Sequence, residues 1–276
     1  MSEQLPVMTV SDVEKDSGKG VQRMSIADKQ VVKDQYATSA RLETRIGIHE
    51  KYSRNKQPFG EWIVSHYHLQ PGERVLELGC GTGSMWKGIS LPVGCHVTLT
   101  DLSAGMLETA KVNTRHLAAD YAVCDAMALP YADASFDVVI ANMMLYHVPD
   151  IDRALREIRR VLKAGGRFFA ATFGEHGVTE AVLEMLGLPC TANHRFTMQN
   201  GGAQLAPYFV SVEVMRRPDA LDVTCLDDLI GYLRSMAGMT ILADVPDSRL
   251  LDVFRRNMKD SVLSLPKEYG LFICRG

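Results

Sequence analysis

Residues Val75 to Gly83 read Val-Leu-Glu-Leu-Gly-Cys-Gly-Thr-Gly, a short apolar run that opens into glycines at every second position. With no Cβ at Gly79, Gly81 and Gly83, the backbone can pass close to a ligand that a side chain would push away. Glu77 stands one position before the end of the apolar run. A similar arrangement recurs along the chain. Val97 to Thr100 is a second apolar strand ending on Asp101, Tyr121 to Val123 runs into Cys124-Asp125-Ala126, and Phe136 to Ala141 ends on Asn142. Acidic or amide residues thus stand at the ends of four successive strands. In open α/β sheets that is the edge where ligands lie, and an acid there holds ribose hydroxyls. Asp101 comes 18 residues after Gly83, close to the spacing of roughly 20 that this role requires.

Two other nucleotide loops are excluded by spacing. A dinucleotide fold needs G-x-G-x-x-G, and Ser84 occupies its third glycine position. A P-loop needs Gly-Lys-Ser/Thr after the loop, which is missing. The G-x-G-x-G loop instead resembles the first motif of the class I, Rossmann-like S-adenosylmethionine-dependent methyltransferases of the small-molecule type. The segment from Phe136-Asp137 through the Arg156 to Lys163 run to Gly165-Gly166 is similar to the same family, although Ala164 replaces the proline usual before the two glycines. The resemblance is clear over residues 36 to 175.

The resemblance implies an α/β fold: a Rossmann-like, seven-stranded, mostly parallel sheet with helices on both faces, its last two strands antiparallel. An N-terminal helical lid and a C-terminal helical cap would be added to it. It also implies S-adenosylmethionine as methyl donor, with roles for particular residues. Glu77 and the Gly79 and Gly81 backbone would hold the methionine part. Asp101 would accept both ribose hydroxyls, Leu102 would pack on the adenine, and Asp125 with the Ala126 NH would meet the adenine edge. Asn142 and Met143 would border the transferred methyl, and Tyr36 in the lid would close over the methionine end. Tyr146 and His147 stand where many relatives have two histidines, which makes them the catalytic candidates; Tyr146 in the first place puts a simple histidine-base mechanism in doubt. Each residue also has a plainer use: Asp101 could cap a helix, Asp125 could serve a turn, and the methionines could fill core.

Pattern and turn signals arrange the elements around these residues. Residues 1–70 form an N-terminal extension and lid, with helical segments from Ser25 to about Asn55 and again around Phe59 to Tyr67. Residues 71–276 form the methyltransferase domain, with cap elements at about 176–205 and 222–263. Asp150 is an N-cap candidate for an amphipathic helix carrying Ile151, Leu155, Ile158 and Leu162 and stopping at Gly165-Gly166. Phe209 to Arg216 alternates as a strand, and Tyr269 to Arg275 is the last. His49, Tyr52, Trp62, His176 and His194 are candidates for lining a substrate pocket.

A formal net charge of −3 gives no electrostatic case for nucleic acid or an anionic membrane. Asn142-Met143-Met144-Leu145 also departs from the Pro-Pro-aromatic motif of amino-directed DNA methyltransferases. No run of 18 apolar residues offers a membrane span, and the first residues lack signal-peptide features. The six cysteines form no C-x-x-C pair and read as free thiols in a reducing cytosol, so the expected location is cytoplasmic. Cys190 and Cys225 outside the sheet raise a metalloid-binding alternative, but no metal-site spacing is present. The leading reading is methyl transfer to O, N or C of a small molecule, plausibly a secondary metabolite. A peptide, protein or RNA methyltransferase and a non-catalytic cofactor-binding protein stay open as alternatives.

Overall fold

A computed structural model describes residues 40–190, 194–236 and 240–276. Tyr36 and the helical expectation for 25–39 lie outside the described residues. Seven strands form one sheet: β1 (Arg74–Leu78), β2 (His96–Asp101), β3 (Ala119–Val123), β4 (Phe136–Asn142), β5 (Leu162–Phe173), β6 (Ser211–Val223) and β7 (Leu263–Arg275). Their order is β3-β2-β1-β4-β5-β7-β6, and only the pairings of β7 are antiparallel. This is the Rossmann-like sheet of the methyltransferase fold. The order reverses beside β1, so the carboxyl ends of β1 and β4 open a crevice at a topological switch point.

Both faces of the sheet are buried, as a parallel sheet requires. Alternate residues feed separate cores because successive side chains point to opposite faces. Leu76, Leu78, Val139 and Phe168 pack with α4 (Ile151–Val161) on one face. Val75, Val97, Val138 and Phe169 pack with α2 (Phe59–Tyr67) and α3 (Ala104–Asn113) on the other. A third core lies beyond the sheet, where α1 (Ala40–Tyr52), α5 (Val178–Met185), α7 (Leu226–Ser235) and α8 (Asp247–Asn257) enclose Leu221, Val223, Leu263 and Leu265. A short helix, α6 (Gly201–Leu205), completes the set named here.

Three boundaries depart from the sequence expectations. The helix after Asp150 ends at Val161 rather than at Gly165-Gly166. Leu162 already has extended backbone and pairs with Phe136; the register then slips, with Gly165 at φ +71°, before Arg167 meets Val138. The glycines therefore make an irregularity within β5 rather than a helix end. The last two strands are longer than their apolar alternation suggested. β6 begins at Ser211 and continues to Val223, while β7 starts at Leu263. Their distal halves pair through Asp219↔Lys267 and Arg217↔Tyr269, positions whose charged side chains hid the strand pattern.

The N-cap at Asp150 is formed, its Oδ1 accepting from Arg153 N at 2.9 Å. The same helix pins the loop after β3. Arg153 donates to the Met127 carbonyl (2.8 Å), Glu157 accepts from Leu129 N (2.8 Å), and Arg160 donates to the carbonyls of Leu129 (3.0 Å) and Tyr131 (2.7 Å). Spacings of four and three residues place these three side chains on one helix face. They hold the segment carrying Asp125 and Ala126 against the sheet edge.

Candidate functional site

The glycine loop leaves β1 with all three glycines in the left-handed region, at φ +64°, +56° and +68°. At Gly79 both shape and space demand glycine, because a Cβ would fall 2.8 Å from Met144 Cβ. Gly83 meets α3 instead: a Cβ there would come within 2.9 Å of Thr114 and 3.2 Å of Ala110. A single 3-10 turn, Ser84–Trp86, follows and carries Trp86 beneath the sheet edge.

Trp86 is what makes Glu77 possible. The carboxylate is buried, with Oε2 accepting from Trp86 Nε1 at 2.5 Å and Oε1 from Asn142 Nδ2 at 3.3 Å. Burial pushes its pKa up to about 7, against the opposing pull of these donors. Asn142 also donates to Tyr67 OH at 2.7 Å, and its own Oδ1 is buried without a hydrogen-bond partner. Next along the chain, Met143 sits at φ +52°, an unfavourable conformation for a residue with a side chain. Its NH is tied to Ala171 O at 2.8 Å, which holds the strained turn in place.

Asp101 closes β2. Its Oδ2 accepts from Gly81 N (2.9 Å) and its Oδ1 from Ser103 N (2.8 Å), while Ser103 Oγ caps α3 through Met106 N. The acid therefore orients the glycine loop, and each oxygen keeps a further lone pair for a ligand. Asp125 Oδ1 accepts from Met127 N at 3.0 Å, so this residue organises its turn.

A cavity of about 770 Å³ joins these groups. Glu77, Gly79, Gly81, Asp101 and Leu102 border it, as do Asp125, Ala126, Asn142 and Met143. Tyr146 and His147 border it as well, with the Tyr146 ring 4.4 Å from that of His147 and 4.6 Å from that of Phe173. Of the five aromatic candidates proposed for a substrate pocket, only His49 lines it among the described residues. Tyr52 turns away to Asp228, Trp62 packs against Phe59 and His66, and His176 and His194 lie outside the lining. Glu180, Cys190 and His194 bring potential ligand atoms within 4.8 Å of one another, a grouping that their sequence spacing did not suggest.

The far end of the cavity holds groups that sequence reasoning missed. Arg217, Asp219 and Lys267 come from the distal halves of the paired strands β6 and β7 and are buried together. Asp219 Oδ2 accepts from Arg217 NH1 (2.7 Å) and Lys267 Nζ (2.9 Å); Lys267 also donates to Ser53 Oγ (2.7 Å). Asp219 is held well below the usual carboxylate range; burial opposes this, but the Asn55 amide and Lys267 outweigh it. His49 Nε2 lies 3.2 Å from Tyr269 OH, and its Nδ1 is buried without a partner. Burial, with help from Lys267, lowers the His49 pKa to about 3, so the ring is neutral. Tyr232 and Tyr269 are pushed up, chiefly by burial, and stay protonated. The charges at Arg217, Asp219 and Asp222 interrupt a strict alternation over 217–223, so neither the full length of β6 nor which charges face inward could be read from spacing.

Residues 76–170 match the model of the methyltransferase domain family. That match covers about a third of the chain, and the sheet order above is the one expected of the Rossmann-like, S-adenosylmethionine-dependent methyltransferase class. Among characterised relatives, the ubiquinone/menaquinone biosynthesis C-methyltransferase UbiE of Xanthomonas campestris pv. campestris is 40% identical over 136 residues, 47% of this chain and 51% of that enzyme. The chain thus matches about half the length of that relative. Among solved structures, the [4+2]-cyclase SpnF superposes with a TM-score of 0.56 at 21% identity, covering 93% of this chain and 98% of that one. Phosphoethanolamine N-methyltransferase 2 of Haemonchus contortus, in complex with S-adenosyl-L-methionine, gives 0.55 at 22%, covering 93% and 60%. At these identities the structural likeness concerns the fold.

Proposed function

We propose that this chain binds S-adenosylmethionine at the β1–β4 crevice and transfers its methyl group to O, N or C of a small molecule held in the same cavity. One observation carries the reading: a glycine cradle, a buried Glu77–Asn142 pair and Asp101 all open into one cavity that continues to Arg217, Lys267 and Tyr269 on β6 and β7. The unpartnered Asn142 Oδ1 fits the methyl donor, because an amino-acid ammonium beside it and Glu77 supplies the missing donor. Glu77 and Asn142 would hold the methionine end, Asp101 the ribose, and Leu102, Asp125 and Ala126 the adenine. The bound donor supplies an activated methyl on a sulfonium.

The chain's own task is then alignment, which by itself can supply effective molarities of about 10⁵–10⁸ M. Met143 and Asn142 set the position of the sulfonium end. Tyr146 and His147 stand where a proton on the acceptor could be taken, a contribution of roughly 10²–10⁴-fold. The helices α1, α5 and α7 supply walls of the cavity that shield it from water. The UbiE relative is described as acting at carbon, and that keeps C-methylation among the options. Because the cyclase SpnF shares the fold, the decisive measurement is release of S-adenosylhomocysteine from S-adenosylmethionine with a panel of small acceptors. Acceptor-dependent release supports the reading. Tight S-adenosylmethionine binding with no release across phenols, quinols, amines and carboxylates points to a non-methylating member of the fold.

A further inference from the structure

We propose that the methyl acceptor is an anion, a small apolar body whose carboxylate or phosphate oxygens are held by Arg217 and Lys267. This rests on the methyltransferase reading of the cavity. Arg217 and Lys267 are only 2% and 4% exposed, and both border the cavity. Between them stands one carboxylate, Asp219, so the buried group carries one positive charge in excess. Asp219 does not need two cations. Its Oδ1 already accepts from Asn55 N (2.9 Å) and Ala220 N (2.8 Å), and Arg217 alone would complete Oδ2. An uncompensated buried charge is costly in a folded protein unless a partner neutralises it.

The cluster also has donors to spare. Arg217 NH1 goes to Asp219 and NH2 to the Gln57 carbonyl, but Nε is buried with no partner among the described residues. The Lys267 ammonium has three N–H groups, of which Asp219 and Ser53 take two. His49 borders the same cavity, and its Nδ1 is buried without a partner. Glu180 borders the cavity too, but its Oε2 is engaged by Gly177 N at 3.0 Å.

Position separates this cluster from the cofactor end. On α1, Leu42 reaches the Gly81 loop whereas His49 reaches Tyr269. Seven residues of helix span about 10 Å. The rings of Phe59, Tyr232 and Tyr269 line this far end, with Arg217 over Phe59 and Lys267 over Tyr269. An acceptor with an aromatic or otherwise apolar body and one oxyanion meets all of these features.

The experiment titrates the full chain, with and without saturating S-adenosylhomocysteine, at constant ionic strength. The probes are benzoate, phenyl phosphate and the neutral analogue benzyl alcohol, followed by calorimetry. At least one of the two anions should bind measurably more tightly than benzyl alcohol. Lys267→Gln keeps a hydrogen-bonding group near Ser53 and leaves the Arg217–Asp219 pair. It should weaken the anion roughly 10- to 100-fold, as for a lost charge-assisted hydrogen bond, with unchanged affinity for S-adenosylhomocysteine. Asp219→Asn adds to the excess positive charge and should tighten the anion, a direction that loss of packing does not produce. Equal binding of anion and alcohol, or an unaltered anion affinity in Lys267→Gln, overturns the proposal. So does a loss of S-adenosylhomocysteine affinity in Lys267→Gln, which would assign the cations to the cofactor. Failure of the unaltered protein to bind S-adenosylhomocysteine at all refutes the underlying reading instead, and the titrations without it then still decide the anion site.

Discussion

Glu77 is buried, bordered by Trp86 and Asn142, and has its pKa raised to about 7 by desolvation. If it meets the ammonium of the cofactor's methionine end, binding requires the carboxylate form and must expel a proton wherever the free protein is protonated. With a free-protein pKa near 7, about nine in ten molecules are protonated at pH 6 and about one in ten at pH 8. Titration of S-adenosylhomocysteine in buffers of different ionisation enthalpy should therefore show release of about 0.9 proton at pH 6, about 0.5 at pH 7 and about 0.1 at pH 8. The dissociation constant should rise about tenfold between pH 8 and pH 6. Stability of the free protein follows with the opposite sense. A carboxyl whose folded pKa is raised binds more protons folded than unfolded, so its contribution falls as pH rises from the usual carboxylate range to about 7. Glu77→Gln is nearly isosteric: its carbonyl can accept from Trp86, and the Asn142 amide can turn to present Oδ1 to the new NH2. That variant should fold, lose the proton release, and bind roughly 10- to 150-fold more weakly at pH 8. A dissociation constant that is flat from pH 5.5 to 8.5, with no proton released at pH 6, refutes the argument.

Four further outcomes test the site. Asp101→Ala should weaken S-adenosylhomocysteine binding roughly ten- to a thousandfold with a normal circular dichroism spectrum; unchanged affinity would leave Asp101 as an organiser of the glycine loop and nothing more. Gly79→Ala puts a Cβ 2.8 Å from Met144 Cβ at a left-handed position, so melting temperature and cofactor affinity should both drop, and a variant equal to wild type in both would show a different loop conformation. His147→Ala should leave cofactor affinity nearly unchanged, and at least one of His147→Ala and Tyr146→Phe should lower acceptor-dependent turnover more than tenfold; if neither does, the acceptor's proton is handled elsewhere in the cavity. Amide hydrogen exchange over 40–55 should slow on adding S-adenosylhomocysteine, since Leu42 and the glycine loop line the same cavity; equal protection would mean that α1 is docked regardless of ligand.

The sheet and the glycine-loop end of the cavity were legible because they are local. Each strand carries its own apolar run, each ends on the residue that faces the crevice, and the glycine loop declares its backbone by composition. Spacing along the chain was enough to assemble Glu77, Asp101, Asp125 and Asn142 at one edge, since parallel strands share a direction. The helix end at Val161 was misplaced because two glycines served a strand irregularity as readily as they would a helix terminus. Pairing between the distal halves of β6 and β7 was a different matter. Arg217 and Asp219 read as a polar end to one strand and Lys267 as a polar residue ahead of the next, and nothing local says that they turn inward. Their burial follows from contacts with α1 and with one another, up to 214 residues apart in the case of Ser53 and Lys267. The apolar pattern and the loop glycines determine where the glycine loop meets the strand ends. Which charged side chains line the cavity's far end is decided only when distant segments close over it, because the cost of burying a charge depends on partners that sequence spacing does not reveal.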